Sequence, residues 1–477
     1  MTESRPARAG RKLRDMMQRR DFLHAGAHAA LATVGASRLS AAPWTTLLPH
    51  EAPDGGGAAD RMQWWREARF GMFVHWGLYA ILAGEWGGRT DFGEWIRNNA
   101  KIPLDEYDTL RSRWQPAAFD ADAMARLARR AGMRYLVITT KHHDGFALWP
   151  SKHGDFNVSR AGDSRDIMRA VADACRRHDV VPCWYHSIMD WHHPDYLPRR
   201  DWESGLRPQS GAHFARYVQF LHDQVEELLT QYGDIGVMWF DGEWESTWTQ
   251  ELGIALAEKC RALQPHVIVN NRVAPNRAGM NDPNIGKIGD FGTPEQNIPD
   301  RGLPGVDWES CITMNRNWGY NRADHDFKSV PQLVSMLIDT ASKGGNLLLN
   351  IGPMASGAIP PESIDRLQGL ARWMDVHGDA IHATSASPFA SAPFKATQSP
   401  GGDRTNVFLP SWPGTRDLLL PGLTTLPSRV TLMGRSSLDV LPARLADTGV
   451  VVTLPTAPAD AVCSVVRVEA RERLRVR

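Results

Sequence analysis

The run Val237-Met238-Trp239-Phe240-Asp241-Gly242 is what most constrains the fold. Four large apolar residues in succession, introduced by Ile235-Gly236, make a strand without a polar side, so both of its faces must be covered. Such a strand belongs inside a parallel sheet or a barrel wall. It ends in an acid, and the C-terminal rim of parallel strands is where a (β/α)₈ barrel carries its chemistry. Taken alone, an apolar run followed by Asp-Gly reads first as the cap of a turn or helix.

Similar runs recur along the chain. Residues 70–77 form a strand with His75 at its exit; Tyr135 to Thr140 runs into Lys141-His142-His143-Asp144-Gly145. Val180 to His186 and Val267 to Asn270 follow, the latter leading to Asn271-Arg272, with weaker strands at 288–291 and 308–314 and a clear one at 346–351. Helical stripes lie at 64–70, 120–131, 165–178, 211–231, 251–263 and 328–342. Eight strands with helices between most of them predict a (β/α)₈-like (TIM) barrel over residues 60–380, with a doubly wound open sheet as the other topology. The sixth and seventh units carry no helical pattern. From residue 381 to 477 the text turns to short strands at 406–409, 429–433, 450–454 and 462–468 between turn signals, the pattern of an antiparallel β-sandwich that covers the barrel's flank.

Residues 1–42 read as an address. Arg19-Arg20-Asp21-Phe22-Leu23 precedes a weakly apolar run and then Ser40-Ala41-Ala42, which resembles a twin-arginine export signal with a small-residue cleavage site. No run reaches the about 18 apolar residues of a membrane span. The mature chain is therefore expected in the periplasm or secreted, and not in a membrane. Lys+Arg and Asp+Glu balance at 54 each, which leaves no electrostatic footprint for nucleic acid. The five cysteines are widely spaced and include no CxxC pair; they read as small buried hydrophobes.

His75, His142, His143, His186, Asp241, Asn271 and Arg272 all fall at expected strand C-termini, on one rim. Imidazole, guanidinium and some of the 18 indoles converging on one cleft suit a small polyol, held by hydrogen bonds and one stacked face. Metal chemistry is disfavoured because the first strand presents a single histidine, and adjacent His142 and His143 are expected to point to opposite sides of their strand. No phosphate-cradling glycine motif and no GxSxG follows any strand, so neither metal nor cofactor is expected. Carboxylates remain, and glycoside hydrolysis needs two. Asp241 suits the fixed role. Its partner is Glu295, in the loop "GDFGTPEQNIP", or Glu309 in "VDWESC"; a strand start would put Glu309 at the barrel floor, which favours Glu295.

"FGMFVHWGLYA", "FGEWI", "TTKHHDGFALWPS", "VMWFDG", "VNNR", "GDFGTPE", "WES" and "NWGY", in this order, resemble the α-L-fucosidases of glycoside hydrolase family 29 from Trp64 to Pro353. The resemblance implies a retaining hydrolase on a barrel with a C-terminal sandwich and no cofactor, acting on fucosylated glycans. It implies Asp241 as nucleophile and His75, His142 and His143 as ligands of the fucose hydroxyls. It also implies Glu94 and Trp95 near the sugar, Tyr185 at the third-strand exit, Arg272 after the fifth strand, and Trp318 near the fucose methyl. The family itself divides over the acid/base, between the positions of Glu295 and Glu309. A silent fucose-binding protein on the same scaffold and a glycosidase for another galacto-configured sugar stay open as alternatives. So does self-association into a homo-oligomer.

Overall fold

The computed structural model describes residues 61–277, 288–303, 305–436 and 438–477, which belong to one compact unit. The export signal expected at 1–42 lies outside the described residues.

Seven parallel strands make the wall: β1 (Phe70–Val74), β2 (Tyr135–Lys141), β3 (Val181–Ser187), β4 (Val237–Asp241), β5 (Ile268–Val269), β6 (Glu309–Thr313) and β7 (Asn346–Ile351). They are ordered β5-β4-β3-β2-β1-β7-β6. The strand expected at 288–291 is not regular. Its place is taken by single parallel bridges from Phe291 to Asn270 and from Gly292 to Trp308, and these close the ring between β5 and β6. The cause is local: Asp290 turns its own carboxylate onto Val269 N–H at 2.8 Å. A Cβ at Gly289 would stand 2.6 Å from Asn270 O, so the two backbones approach too closely for a pleated ladder there.

Side-chain alternation sorts each strand between two cores. Phe73, Tyr135, Val137, Cys183, Tyr185, Val237, Trp239, Ile268, Cys311 and Leu348 fill the interior, whose cluster also holds Trp64 and Trp65 of helix α1 (Gln63–Ala68). Met72, Leu136, Ile138, Trp184, Met238 and Leu349 face outward to the helices. The longer of these are α2 (Ala121–Arg130), α3 (Ile167–Arg177), α4 (Phe214–Thr230), α5 (Gln250–Leu263), α6 (Val330–Ser342) and α7 (Pro361–His377). Asp120 and Asp166 cap α2 and α3 by accepting backbone N–H bonds, and Ser329 with Gln332 forms a capping box on α6. Helix α7 has no counterpart in the sequence expectations.

The C-terminal region holds β8 (Lys395–Gln398), β9 (Arg404–Leu409), β10 (Asp417–Pro421), β11 (Arg429–Leu432), β12 (Ala443–Ala446), β13 (Gly449–Thr453) and β14 (Ser464–Glu469). They form two antiparallel sheets, β11-β14-β9-β8 and β10-β13-β12. Val407, Val430 and Val466 from one meet Leu420, Val450 and Val452 from the other in a shared core. Phe408, Cys463 and Val465 face the other way and join the helix-side core of the barrel. There Trp373 of α7 donates its indole N–H to Cys463 O at 3.0 Å. All five cysteines are buried and free. No described helix is long and apolar enough to cross a membrane.

Candidate active site

Alternation along β4 turns Val237 and Trp239 into the barrel, and it carries Asp241 to the top of the same column. There Arg272, in the short 3₁₀ turn after β5, donates Nη1–H to Asp241 Oδ1 at 2.8 Å. Tyr185 at the end of β3 donates its hydroxyl to Asp241 Oδ2 at 3.1 Å. His143 Nε2 stands 3.5 Å from the same oxygen. Burial pushes the Asp241 carboxyl up, but the charge of Arg272 and the hydrogen bonds of His143 and Arg272 outweigh it and hold it well below the usual carboxylate range. Asp241 is therefore ionised across the physiological range.

Arg272 is itself braced. Its guanidinium lies 4.7 Å from the Trp239 ring centroid. Its Nε donates to Thr293 Oγ1 at 2.8 Å, and Thr293 donates in turn to Asn271 Oδ1 at 2.8 Å. The remaining Nη2 donates to Glu295 Oε2 at 2.9 Å. One fixed cation thus bridges both of the preferred carboxylates.

Two of the histidines, His75 and His143, are fixed through their far nitrogens. Asn350 Nδ2 donates to Trp318 O at 2.8 Å, which turns Asn350 Oδ1 toward His75 Nδ1 at 2.7 Å. His75 therefore carries its proton on Nδ1 and leaves Nε2 as an acceptor. Burial lowers the His75 pKa to about 4 despite that bond, and burial also holds His142 well below its ordinary value. Both are neutral at pH 7 and able to pair with hydroxyls. For His143, Ser187 donates to Met189 O at 2.7 Å and so accepts from Nδ1–H at 2.5 Å.

His142 and His143 do not point to opposite sides as expected, since their ring centroids are 4.2 Å apart. Strand β2 ends at Lys141, so pleat alternation no longer applies to them. Among the described residues no group of three or more His, Cys, Asp or Glu is arranged to hold a metal ion.

These groups, His143 excepted, border a cavity of about 380 Å³ lined by Phe73, His75, Glu94, Trp95, His142, Tyr185, Trp239, Asp241, Trp244, Arg272, Arg277, Glu295, Cys311 and Trp318. Glu94 accepts Gly319 N–H at 3.1 Å, and burial raises its pKa. Trp318 lies against His75, with ring centroids 5.0 Å apart. Trp95 meets His143 edge-on at 5.1 Å.

Two expected rim residues face elsewhere. His186 is turned toward Thr140 Oγ1 at 2.8 Å, outside the cavity, and Asn271 serves Thr293. Glu309 lies at the first position of β6, inside the wall and off the cavity lining, where Tyr135 donates its hydroxyl to it and Trp239 donates Nε1–H at 3.2 Å. Burial pushes its carboxyl up to about 7.

Trp244, Glu243 and Arg277 also stand at the site and are not among the expected residues. Trp244 is three residues beyond Asp241 in "DGEWE" and follows directly on the strand that organises the site, a position that could have drawn notice. Arg277 lies five residues past Arg272 with no motif to mark it.

The model of the α-L-fucosidase family matches residues 54–379. The chain belongs to the α-L-fucosidase family. It is 31% identical over 424 residues to human tissue α-L-fucosidase, covering 84% of this chain and 86% of that one. The structure superposes on α-L-fucosidase isoenzyme 1 from Paenibacillus thiaminolyticus with a TM-score of 0.79 and 34% identity, over 88% of this chain and 99% of the other. A family 29 α-L-fucosidase from Bacteroides thetaiotaomicron aligns with a TM-score of 0.77 and 28% identity, over 86% and 95%. Membership makes this chain a glycoside hydrolase and places its activity, at the level of the family, with the α-L-fucosidases. It also accounts for the barrel with its C-terminal β-domain.

Proposed function

We propose that this chain is an exported, retaining exo-α-L-fucosidase that removes terminal α-L-fucose from glycans, with Asp241 as nucleophile and Glu295 as acid/base. The observation that carries the reading is Arg272, bonded to Asp241 at 2.8 Å and to Glu295 at 2.9 Å. A guanidinium shared between two acids keeps them close, in keeping with the about 5–5.5 Å separation of a retaining pair. The related Bacteroides structure is described as a trapped covalent intermediate with 2-fluoro-fucosyl fluoride, which supports double displacement here.

In the first step a carboxylate oxygen of Asp241 attacks the anomeric carbon. The bond to the leaving oxygen breaks, and that oxygen takes the proton of Glu295. In the second, Glu295 takes a proton from water, the water oxygen attacks the same carbon, and Asp241 is released as carboxylate. His75, His142, His143 and Glu94 would hold hydroxyls whose hydrogen bonds strengthen as charge develops. Trp318 and Trp95 offer the apolar wall that a 6-deoxy sugar's methyl needs. Export rests on the twin arginines at 19–20 and the small residues that follow.

The test is release of 4-nitrophenol from the α-L-fucoside by wild type, Asp241→Ala, Glu295→Ala and Glu309→Ala, with azide added. Activity in wild type, its loss in Asp241→Ala and azide rescue confined to Glu295→Ala are expected. Rescue in Glu309→Ala instead would move the acid/base there. A wild type that binds fucose yet releases nothing would leave only a binding function.

A further inference from the structure

A second cavity, of about 500 Å³, adjoins the one that holds Asp241 and shares Trp244 and Arg277 with it. We propose that this shelf, floored by Trp244 and walled by Pro275, Asn276 and Arg277, is the subsite for the leaving group of the substrate, and that it is shaped for a pyranose sugar. The inference rests on the fucosidase reading and adds to it which aglycones the site prefers.

Three observations carry it. The first is direction. The leaving oxygen is the atom that Glu295 protonates, so the aglycone must depart past Glu295. Arg277 stands there, with Nη2 3.8 Å from Glu295 Oε2, and it lines both cavities. The cavity between residues 314 and 363 shares no lining residue with the one around Asp241.

The second is the indole itself. Trp244 is 47% exposed, the one tryptophan among the exposed large hydrophobic residues described. It is nevertheless not loose, because its ring lies within 18° of parallel to Trp95 at 6.3 Å and meets His143 edge-on at 5.9 Å. A fixed, solvent-facing indole is the surface on which the C–H face of a pyranose packs.

The third is the opposite wall. Asn276 and Arg277 hold φ of 61° and 50°, the left-handed region that side chains other than glycine enter at a cost. Two such residues in succession impose a bend that presents the Arg277 side chain, one-third exposed and 3.5 Å from Glu243, to the shelf. Arg277 and Asn276 supply donors for the hydroxyls or acyl oxygens of a sugar. An alkyl or aryl alcohol would make no use of them.

Two substrates with the same glycon separate this role from a general one. α-L-Fucosyl fluoride has a single atom as leaving group and makes no use of the shelf. A fucosyl disaccharide, taken as whichever of the 1→2, 1→3, 1→4 and 1→6 linked compounds the wild type cleaves best, uses all of it. In Trp244→Ala the ratio of kcat/KM on the disaccharide to that on the fluoride is expected to fall at least about tenfold. Trp244→Tyr, which keeps an aromatic face, should recover most of it. Equal losses on both substrates would assign Trp244 to the fucose side, and no loss on either would leave the shelf without a ligand; both overturn the proposal. A wild type inert on both compounds would remove the fucosidase reading first.

Discussion

Asp241 has a second buried acid beside it in the chain. Glu243, two residues on, is 2% exposed. Arg277 Nε stands 3.5 Å from its Oε1. Burial, then the charge of Asp241, pushes its carboxyl up to about 7, against the pull of Arg272 and Arg277. The charges of Asp241, Arg272 and Arg277 all act on it, and Glu295 lies beyond Arg277. As pH rises through 7, Glu243 therefore adds a negative charge that, on the proposed mechanism, opposes loss of the acid/base proton. Glu243→Gln removes that charge, so the alkaline limb of kcat/KM should move acidward by about half to one pH unit. A pH–rate profile superimposable on wild type would show that Glu243 is silent. None of this was legible in the sequence, where a glutamate in a loop reads as solvated. What could be read was which residues end strands, and Asp241, Arg272, His75 and His142 meet because strand ends share a rim. His186 ends a strand too, but its position in the pleat turns it outward, and a boundary read from sequence does not fix that phase.

Glu309 shows what an element can demand of one side chain. It opens β6 inside the barrel and holds together Tyr135 of β2 and Trp239 of β4, near the Trp65 indole of α1. Its folded pKa of about 7 lies above the ordinary 4.5, so between those values the unfolded chain has lost a proton that the native protein keeps. The sign follows: stability falls as pH rises through this window, and the cost is complete above pH 7. Glu309→Gln should be free of it, so its stability relative to wild type should rise by about 2–3 kcal/mol between pH 5 and 8 in denaturant melts. A constant difference across that range would mean that the Glu309 proton does not change on unfolding. The expected boundaries of β2, β3, β4, β7 and the helices from α2 to α6 came within a few residues of those observed, because apolar period and capping residues are both local signals. The sixth strand failed for a reason that is not local: Asp290 takes a hydrogen bond that a carbonyl would otherwise have taken. Strands β8, β10 and β12 are short, and two of them alternate too weakly to be read.

For the molecule as a whole, barrel and sandwich share their packing. Phe408, Cys463 and Val465 sit in the same core as α7, and Trp373 reaches across to Cys463 O. Calorimetry of residues 43–477 should therefore give one cooperative transition, and ending the chain at residue 380 should leave that helix face bare and the product insoluble. Two separated transitions would show that the sandwich folds by itself. The seam of the barrel has a further effect on the two acids. Asp241 is rooted in β4, between β3 and β5, in a wall laced on both sides. Glu295 hangs from the stretch that closes the ring by isolated bridges, one of them its own to Cys311. On the proposed mechanism the nucleophile thus stands on masonry and the acid/base on a hem, held by fewer backbone bonds than the strand that carries Asp241.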